Sequence, residues 1–405
     1  MKKASYTFGS LCLLAGLITP AYAANPYPSA GTCDGLPKVN VKTPADTCVG
    51  VVAFDLKMPR GVLPLSDTEI WVTEMGAWER NGGRLSRLVW QNGRYQRSTI
   101  LDKLDRPHGI QLGKDGWVYV GEASRIIRVN PKTLNDAGKI TPQIVVDHLP
   151  DDGHHPLKQL LLDNDGNIYL SMGAKSNNCE GKDGQAAKYP CAESTGAQAT
   201  ASIWKITSPL SQAKTTVYAR GLRNAMGMAW TGNGAMIVTE NGRDSINQAD
   251  AKLSDVRLPH DELNVIDSAG NDYGWPYCYD NNRISPEYRA RAAVCRTKQR
   301  PVILLPAHSA PVGIAYYPRE GSIAALRGRY LIALHGYRDT GHRLIAVATD
   351  AAGKPLGKTT EIIGAWARTD KQPMGAPVEA RPSSSGKVYI TDDRNDAVLR
   401  LANER

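Results

Sequence analysis

Lys114-Asp115-Gly116-Trp117-Val118-Tyr119-Val120-Gly121 reads as a tight Asp-Gly turn feeding a β-rich run, and Arg125-Ile126-Ile127-Arg128-Val129 reads as its alternating partner. Turn residues before a short Val, Ile and Tyr-rich run are a strand signal, and alternation marks the next strand. Working outward, the same unit recurs. It appears upstream as Ser66 to Thr73 with Arg84 to Leu88, and downstream as Asn164 to Ser171 with Ser202 to Ile206. Three more copies are Gly232 to Thr239 with Glu262 to Ile266, Arg327 to Leu334 with Arg343 to Val347, and Ser384 to Thr391 with Ala397 to Leu401. Six copies predict an all-β, six-bladed β-propeller, because no single copy can bury both its faces. The first run of each copy is expected to be the blade's inner strand. Val49 to Asp55 is expected to close the ring against the last blade, satisfying edge hydrogen bonds that an open ring would leave unpaired.

The ring therefore occupies 49–405 as one domain, preceded by an irregular lead-in over 24–48. Residues 1–23 read as a secretory signal peptide. Lys2-Lys3 is the charged start, Leu11 to Ile18 the short apolar run, and Ala21-Tyr22-Ala23 the small-residue cleavage site. That run is too short to span a bilayer, so no membrane insertion is expected and the place of action is periplasmic or secreted. Six cysteines remain beyond Cys12, an even count that suits an exported protein. They fall in three local pairs, which predicts Cys33–Cys48, Cys179–Cys191 and Cys278–Cys295. The absence of CxxC spacing argues against a zinc site.

The composition fits this reading. The 405 residues hold only 2 Phe but 38 Gly and 25 Pro, which favours turns over long helices. The formal charge of +9 is scattered, with neither a basic stripe nor a nucleic-acid motif, so no nucleic-acid partner is expected. Trp71, Trp117, Trp204, Trp230 and Tyr169 fall on strands and are assigned to packing. Walker, GxGxxG, GxSxG and HExxH signatures are all absent.

Long polar inserts at 174–200, 244–260 and 279–301 interrupt the repeat and predict a wall around a central pocket. Chemistry-bearing residues gather at its edges. His155, just ahead of the third unit, can exchange a proton near neutral pH. Arg223-Asn224 opens the fourth unit, and Arg offers a planar cation able to stack on a flat anion and bond its carboxylates. Asn241-Gly242-Arg243 follows the fourth unit's run, where Gly permits close approach of backbone to a ligand. Asp261-Glu262 and Tyr273-Gly274-Trp275-Pro276-Tyr277-Cys278 complete the cluster.

Arg-Asn, Thr-Glu-Asn-Gly, Asp-Glu-Leu-Asn and Tyr-Gly-Trp-Pro in this order resemble the glucose/sorbosone dehydrogenase family, from about Pro59 to the C-terminus. Tyr-Gly-Trp-Pro-Tyr-Cys and Ala307-His308-Ser309-Ala310-Pro311 look closest to its sorbosone-dehydrogenase-like branch. The resemblance implies a soluble enzyme that carries pyrroloquinoline quinone (PQQ) and Ca²⁺ and oxidises an aldose or sugar aldehyde at C1. A soluble cytochrome or quinone would accept the electrons. It makes His155 the catalytic base and Arg223 a group that stabilises developing charge. It gives Arg223, Asn224, Asn241, Arg338 and His108 to the cofactor pocket. The carbonyls of Gly242 and Arg243, with Asp261 nearby, would hold the catalytic Ca²⁺; Glu262 and the Tyr273 carbonyl match a second, structural site.

The sequence departs from the family at two positions. Ala174 stands where an Asp orients the base, with Ser176, Asn177 or a nearby carboxylate as substitutes. Ala376 stands where an Arg is common, with Arg381 or Lys371 as substitutes. Two rival readings remain: a metal-dependent sugar lactonase on the same fold, and a non-enzymatic propeller binding a glycan or peptide.

Overall fold

The structure is a computed structural model that describes residues 25–404 except 28, 181–187, 208, 209, 211, 365 and 367–374. The predicted signal peptide and Lys371 lie outside the described residues. Among the described residues, no helix is long and apolar enough to cross a membrane.

Six antiparallel sheets carry the chain in order. Blade 1 consists of Pro59–Pro64, Glu69–Glu74, Gly83–Gln91 and Arg94–Leu104, and blades 2, 3 and 5 repeat that simple order. Blade 4 inserts a hairpin and a 3₁₀ segment, Pro286–Thr297, before its last strand, Ile303–Leu305. The last blade takes its outer strand, Thr47–Ala53, from the start of the chain. That strand pairs with Ala397–Asn403, which places the expected closing strand two residues earlier than predicted. The first strands of successive blades touch one another around a closed ring, so they line the axis.

This ring corrects one expectation. The repeated runs, such as Glu69–Glu74, are second strands, and the axis belongs to the strands before them. The axial strands do not stand out in the sequence repeat because they are short or bulged. Ile110–Leu112 and Leu160–Leu162 have three residues each, and register shifts interrupt blades 1, 4, 5 and 6. They are also crowded. A Cβ on Gly61 would lie 2.5 Å from the His108 carbonyl oxygen, and one on Gly313 2.3 Å from that of Val378. Glycine is thus what lets neighbouring blades meet at the axis.

In blades 1, 4 and 6 a threonine on the second strand then stitches the bulge to the next blade. Thr73 Oγ1 accepts from Gly61 N–H and donates to the His108 carbonyl. Thr239 links Gly227 to Pro311 and Thr391 links Glu379 to Arg60 in the same manner. These are buried polar groups whose hydrogen bonds are met only when the ring is closed.

The lead-in also differs from expectation. Ser29–Cys33 and Leu36–Val39 form a hairpin across an Asp34-Gly35 turn, both residues at positive φ, and extend the last blade's sheet outward. Cys33–Cys48 ties that hairpin to the closing strand. Cys179–Cys191 and Cys278–Cys295 form as predicted, with Cα separations of 6.1 and 5.8 Å. Together with Ala174, Trp275, Tyr277 and Tyr288 they build a small apolar cluster that props up the inserts. Trp71, Trp204 and Tyr169 are buried as expected, and Trp117 and Trp230 pack partly buried against the same cores.

Candidate active site

Two adjoining cavities lie among the loops that join the blades; among the described residues, Asp244 alone of the three inserts expected to wall them borders either. The first, of about 310 Å³, is bordered by His155, Arg223, Asn224, Asn241, Gly242, Asp261 and Arg338 among others. The second, of about 290 Å³, shares His155, Asn224, Asn241, His335 and Tyr337 with it and adds Arg60, Trp78 and Asp393. Leu157, Met226 and Val312 border the second cavity and pack with Met75 and Val378 into an apolar plug near the axis. Residues scattered over the sequence thus converge on one concave space with an apolar floor and polar walls, the usual make-up of a ligand site.

His155 sits on one wall. Its Nδ1 lies 2.6 Å from the Ala174 carbonyl oxygen. A carbonyl can only accept, so Nδ1 carries the proton and Nε2 keeps its lone pair. The missing carboxylate at position 174 is therefore replaced by that residue's own backbone, and none of Ser176, Asn177 or a carboxylate takes the role. Gly173 makes the approach possible, since a Cβ there would lie 2.4 Å from His155 Cβ. Burial, reinforced by the Arg223 charge, lowers the His155 pKa to about 3, so the ring is neutral at ordinary pH.

Arg223 is buried behind this wall and all five of its N–H groups are used. Nε donates to the Asn177 carbonyl, Nη1 to the carbonyls of Asn241 and Gly242, and Nη2 to Asn177 Oδ1 and Asp244. The expected hydrogen bonds from Arg223 to a ligand carboxylate have no donor left; its contribution is a buried positive charge at the cavity edge. Asp244, which also pairs with His308, is lowered to about 2 by that His308 bond first and by the Arg223 charge second. Asn224 and Asn241 line both cavities, and Asn241 Oδ1 is buried without a hydrogen-bond partner.

The opposite wall was largely missed in the sequence. Asp393 is buried, bonds His335 Nε2 at 2.9 Å and pairs with Arg60. Burial pushes the Asp393 carboxyl up, but the His335 and Arg60 charges outweigh it and hold it below the usual range. Arg60 Nε in turn donates to His108 Nδ1 at 3.2 Å. His108, expected to line the pocket, is instead buried behind Arg60, and burial drives its pKa well down. Arg338 does reach the first cavity, where it is held by the Asp255 carbonyl and carboxylate at 3.0 Å each. Arg381 pairs with Glu379 toward the far end of its strand, so the cation on the last blade's side of the cavity is Arg60 from the first blade. The signal that could have found Arg60 is its place one residue before a glycine on an axial strand.

The metal expectations divide. At the rim, the Gly242 carbonyl already accepts Arg223. Asp261 accepts from Gly242 N, Ser309 Oγ and Ala310 N, and burial raises its pKa to about 6. The Arg243 side chain runs outward to Glu287 at 2.6 Å and pins the 3₁₀ insert. Of the expected donors, the Asp261 carboxylate is thus taken up by loop hydrogen bonds and the Gly242 carbonyl by a guanidinium. Among the described residues, no three His, Cys, Asp or Glu side chains are grouped to hold a metal.

A separate small cavity fits a hard cation better. Glu240, Glu262 and Tyr273 border it, and Asn264, hydrogen-bonded to Glu262, has a buried Oδ1 without a partner. Burial and mutual repulsion raise Glu240 well above the carboxylate range, and burial raises Glu262 to about 8. Two buried carboxylates and an unmet amide oxygen are what Ca²⁺ accepts. The Tyr273 hydroxyl is occupied by the Val265 carbonyl, so only its backbone is on offer.

For a planar tricarboxylate, the paired cavities supply Arg60, Arg338, His308 and His335 around an apolar floor, with the unmet Asn241 amide beside them. That donor set fits PQQ.

Comparison with known proteins gives the following. A family model described as TrAA12-like matches residues 41–403. The holo form of the pyranose dehydrogenase PQQ domain from Coprinopsis cinerea is 16% identical, covers 92% of this chain and 99% of its own, and superposes with a TM-score of 0.71. A structure of Trichoderma reesei Carbohydrate-Active Enzymes Family AA12 is 17% identical, covers 95% and 100%, and gives 0.68. The PQQ-bound aldose sugar dehydrogenase of Streptomyces coelicolor is 19% identical, covers 89% and 99%, and gives 0.60. At these identities the structures speak for the fold. The chain spans about half the length of the curated relative it matches, an uncharacterized protein of Borreliella burgdorferi, 25% identical over 198 residues.

Proposed function

We propose, from the premise that this chain belongs to the TrAA12-like family, that it is an exported sugar dehydrogenase carrying PQQ over the propeller axis. The observation that carries the reading is His155, whose Nδ1 is held by the Ala174 carbonyl, leaving Nε2 unprotonated, and which borders cavities that Arg60 and Arg338 also border above an apolar floor. The sugar's C1 hydroxyl, of an aldose or of the hydrate of a sugar aldehyde such as a sorbosone, would lie against that nitrogen. PQQ, when bound, supplies the two-electron acceptor for the hydride.

His155 takes the hydroxyl proton onto Nε2. A base with so low a pKa suffices, because the hydroxyl becomes strongly acidic as the C–H bond at the same carbon breaks. The Ala174 carbonyl keeps the ring in the one tautomer that leaves Nε2 unprotonated. Arg223 lends its buried charge to the oxygen that becomes negative, in a setting where a fixed charge is stronger than in water. Arg60 and Arg338, supported by His335 and Asn241, hold carboxylates of the quinone. The Glu240 and Glu262 cavity takes a structural Ca²⁺, and a soluble cytochrome or quinone receives the electrons.

The apolar floor of Leu157, Met226 and Val312 favours a flat ring over the carboxylate-rich tunnel that a lactonase needs. The test is dye reduction by purified protein loaded with PQQ and Ca²⁺ over a panel of aldoses and sugar aldehydes. Sugar-dependent reduction that needs the quinone is expected; lactone hydrolysis by quinone-free protein would overturn the reading.

A further inference from the structure

Arg223, Asp244, His308, Asp255 and Arg338 form a chain of alternating charge at the first cavity, and all but Asp255 border it. His308 stands in the middle, its side chain only 8% exposed. Its Nε2 lies 2.6 Å from the Asp255 carbonyl oxygen and its Nδ1 lies 3.3 Å from Asp244 Oδ1. A carbonyl oxygen can only accept a hydrogen bond, and so can an ionised carboxylate. A neutral imidazole has one N–H and would turn its lone pair on one of these two oxygens. Both nitrogens face acceptors, so the arrangement calls for the imidazolium. The Asp244 bond, opposed by burial and by the Arg338 charge, raises the His308 pKa above the ordinary histidine value. The loop that carries the ring is pinned. His308 and Ala310 both adopt left-handed backbone, at φ 58° and 48°. Gly336 N donates to the Ser309 carbonyl at 2.8 Å, and Thr340 Oγ1 to the Ala307 carbonyl at 2.9 Å. Residues other than glycine stay in that region only where the surrounding structure holds them there.

We propose that His308 is a positioning residue that works as an imidazolium: through Asp244 and Asp255 it fixes Arg223 beside the base and Arg338 at the far end of the chain. The inference rests on the proposed function for what those two arginines do. Both aspartates belong to the 244–260 insert, so one ring clips that insert at two points. Each aspartate passes the hold on. Asp244 accepts from Arg223 Nη2 at 3.1 Å, and the Asp255 carbonyl and carboxylate accept from the two Nη atoms of Arg338 at 3.0 Å each. With both nitrogens spent, His308 offers a ligand its charge and no hydrogen bond. The two arginines do not depend on it equally. Without Asp244, Arg223 keeps the carbonyls of Asn177, Asn241 and Gly242, whereas both hydrogen bonds that hold Arg338 go to Asp255. Neutralising the ring should therefore be felt first in the carboxylate binding given to Arg338 and less in the chemistry next to Arg223.

The test joins NMR of the ring to quinone titration and kinetics. In quinone-free protein labelled with ¹⁵N-histidine, the His308 ring, assigned by its loss in H308Q or H308K, should carry two protonated nitrogens at about pH 7, where an ordinary histidine is mostly neutral. A single protonated nitrogen there overturns the inference without recourse to any activity. H308Q should raise the quinone dissociation constant about tenfold, the scale of one lost hydrogen bond to a charged group, with a smaller fall in turnover at saturating quinone. H308K, which restores a cation with several donors, should recover most of that affinity. Unaltered quinone affinity in folded H308Q overturns the inference and leaves the proposed function standing. Equal losses in H308Q and H308K do the same, since the shape of the ring rather than its charge would then matter. Wild-type protein without quinone uptake overturns the proposed function and, with it, the role of the two arginines.

Discussion

His155 and His335 border the same cavity, but their partners differ. His155 is oriented by a neutral carbonyl, that of Ala174, and stands next to the buried charge of Arg223. His335 is bonded to a buried carboxylate, Asp393, which also holds Arg60. An imidazole fixed by a carbonyl keeps one nitrogen free and neutral, which suits taking a proton. An imidazole fixed by a carboxylate and flanked by an arginine belongs to an ion network, which suits holding an anionic ligand. The proposed division of labour between chemistry and binding rests on what sits behind each ring.

The sharpest way to break this comparison is to remove each ring in turn. His155→Ala should cut turnover roughly 10²- to 10⁴-fold, the scale of a lost general base, with quinone affinity little changed. His335→Ala should do the reverse, weakening quinone binding by about tenfold with a smaller effect on saturated turnover. Equal kinetic profiles would erase the distinction.

Asp393→Ala tests the second wall's stability. It strands the buried Arg60 charge and should cost about 3–5 kcal/mol in denaturant unfolding, whereas a cost under about 1 kcal/mol would mean that the network is not buried as described. Chelation tests whether a cation supports the fold away from both walls. Removing Ca²⁺ should lower stability by about 3 kcal/mol if the ion was present at a hundred times its Kd, measured as a drop in Tm that Ca²⁺ reverses and that Glu262→Gln abolishes.

The smallest effect is pH dependence. Burial holds His108, His155 and His342 below the ordinary histidine range. The unfolded chain takes up these protons near pH 6.5, the folded chain only at lower pH. Their contribution is therefore complete above pH 6.5 and declines as pH falls below it. Buried Asp261, Glu240, Glu262 and Asp392 have raised pKa values and act in the opposite sense, so the histidine part is read by difference: replacing His108 and His342 should shift the Tm change between pH 7.5 and 5.5 upward relative to wild type, and an unshifted change would contradict the burial described.

Much of this was legible in the sequence, because blades repeat a local signal. Asp-Gly turns before Val and Tyr-rich runs exposed one strand of each blade, read as the inner strand though it is the second, and a closing strand was expected at Val49 to Asp55, two residues from Thr47–Ala53, because an open ring needs one. The cysteine pairs were readable because each bridge is local, spanning 12 to 17 residues. His155, Arg223, Asn224 and Asn241 border the cavities, and it was the family resemblance, more than their place in loops, that pointed to them.

What stayed hidden depended on closure or on backbone. Arg60 meets Asp393 across 333 residues only because the ring brings the first blade beside the last. The Ala174 carbonyl could not be read at all, since its role is independent of its side chain. His108 looked like a lining residue because nothing local reveals that Arg60 lies in front of it. Arg223 looked free to bind a ligand because its five acceptors come from segments far apart in the chain.

The most direct test of the central claim is an absorbance titration of metal-stripped protein with PQQ and Ca²⁺, followed in the same cell by single-turnover reduction with an aldose. The account predicts saturable uptake of about one quinone per chain and rapid sugar-dependent bleaching in wild type, with equal uptake but slowed bleaching in His155→Ala. Absence of saturable uptake, or bleaching at the same rate in both proteins, would contradict it.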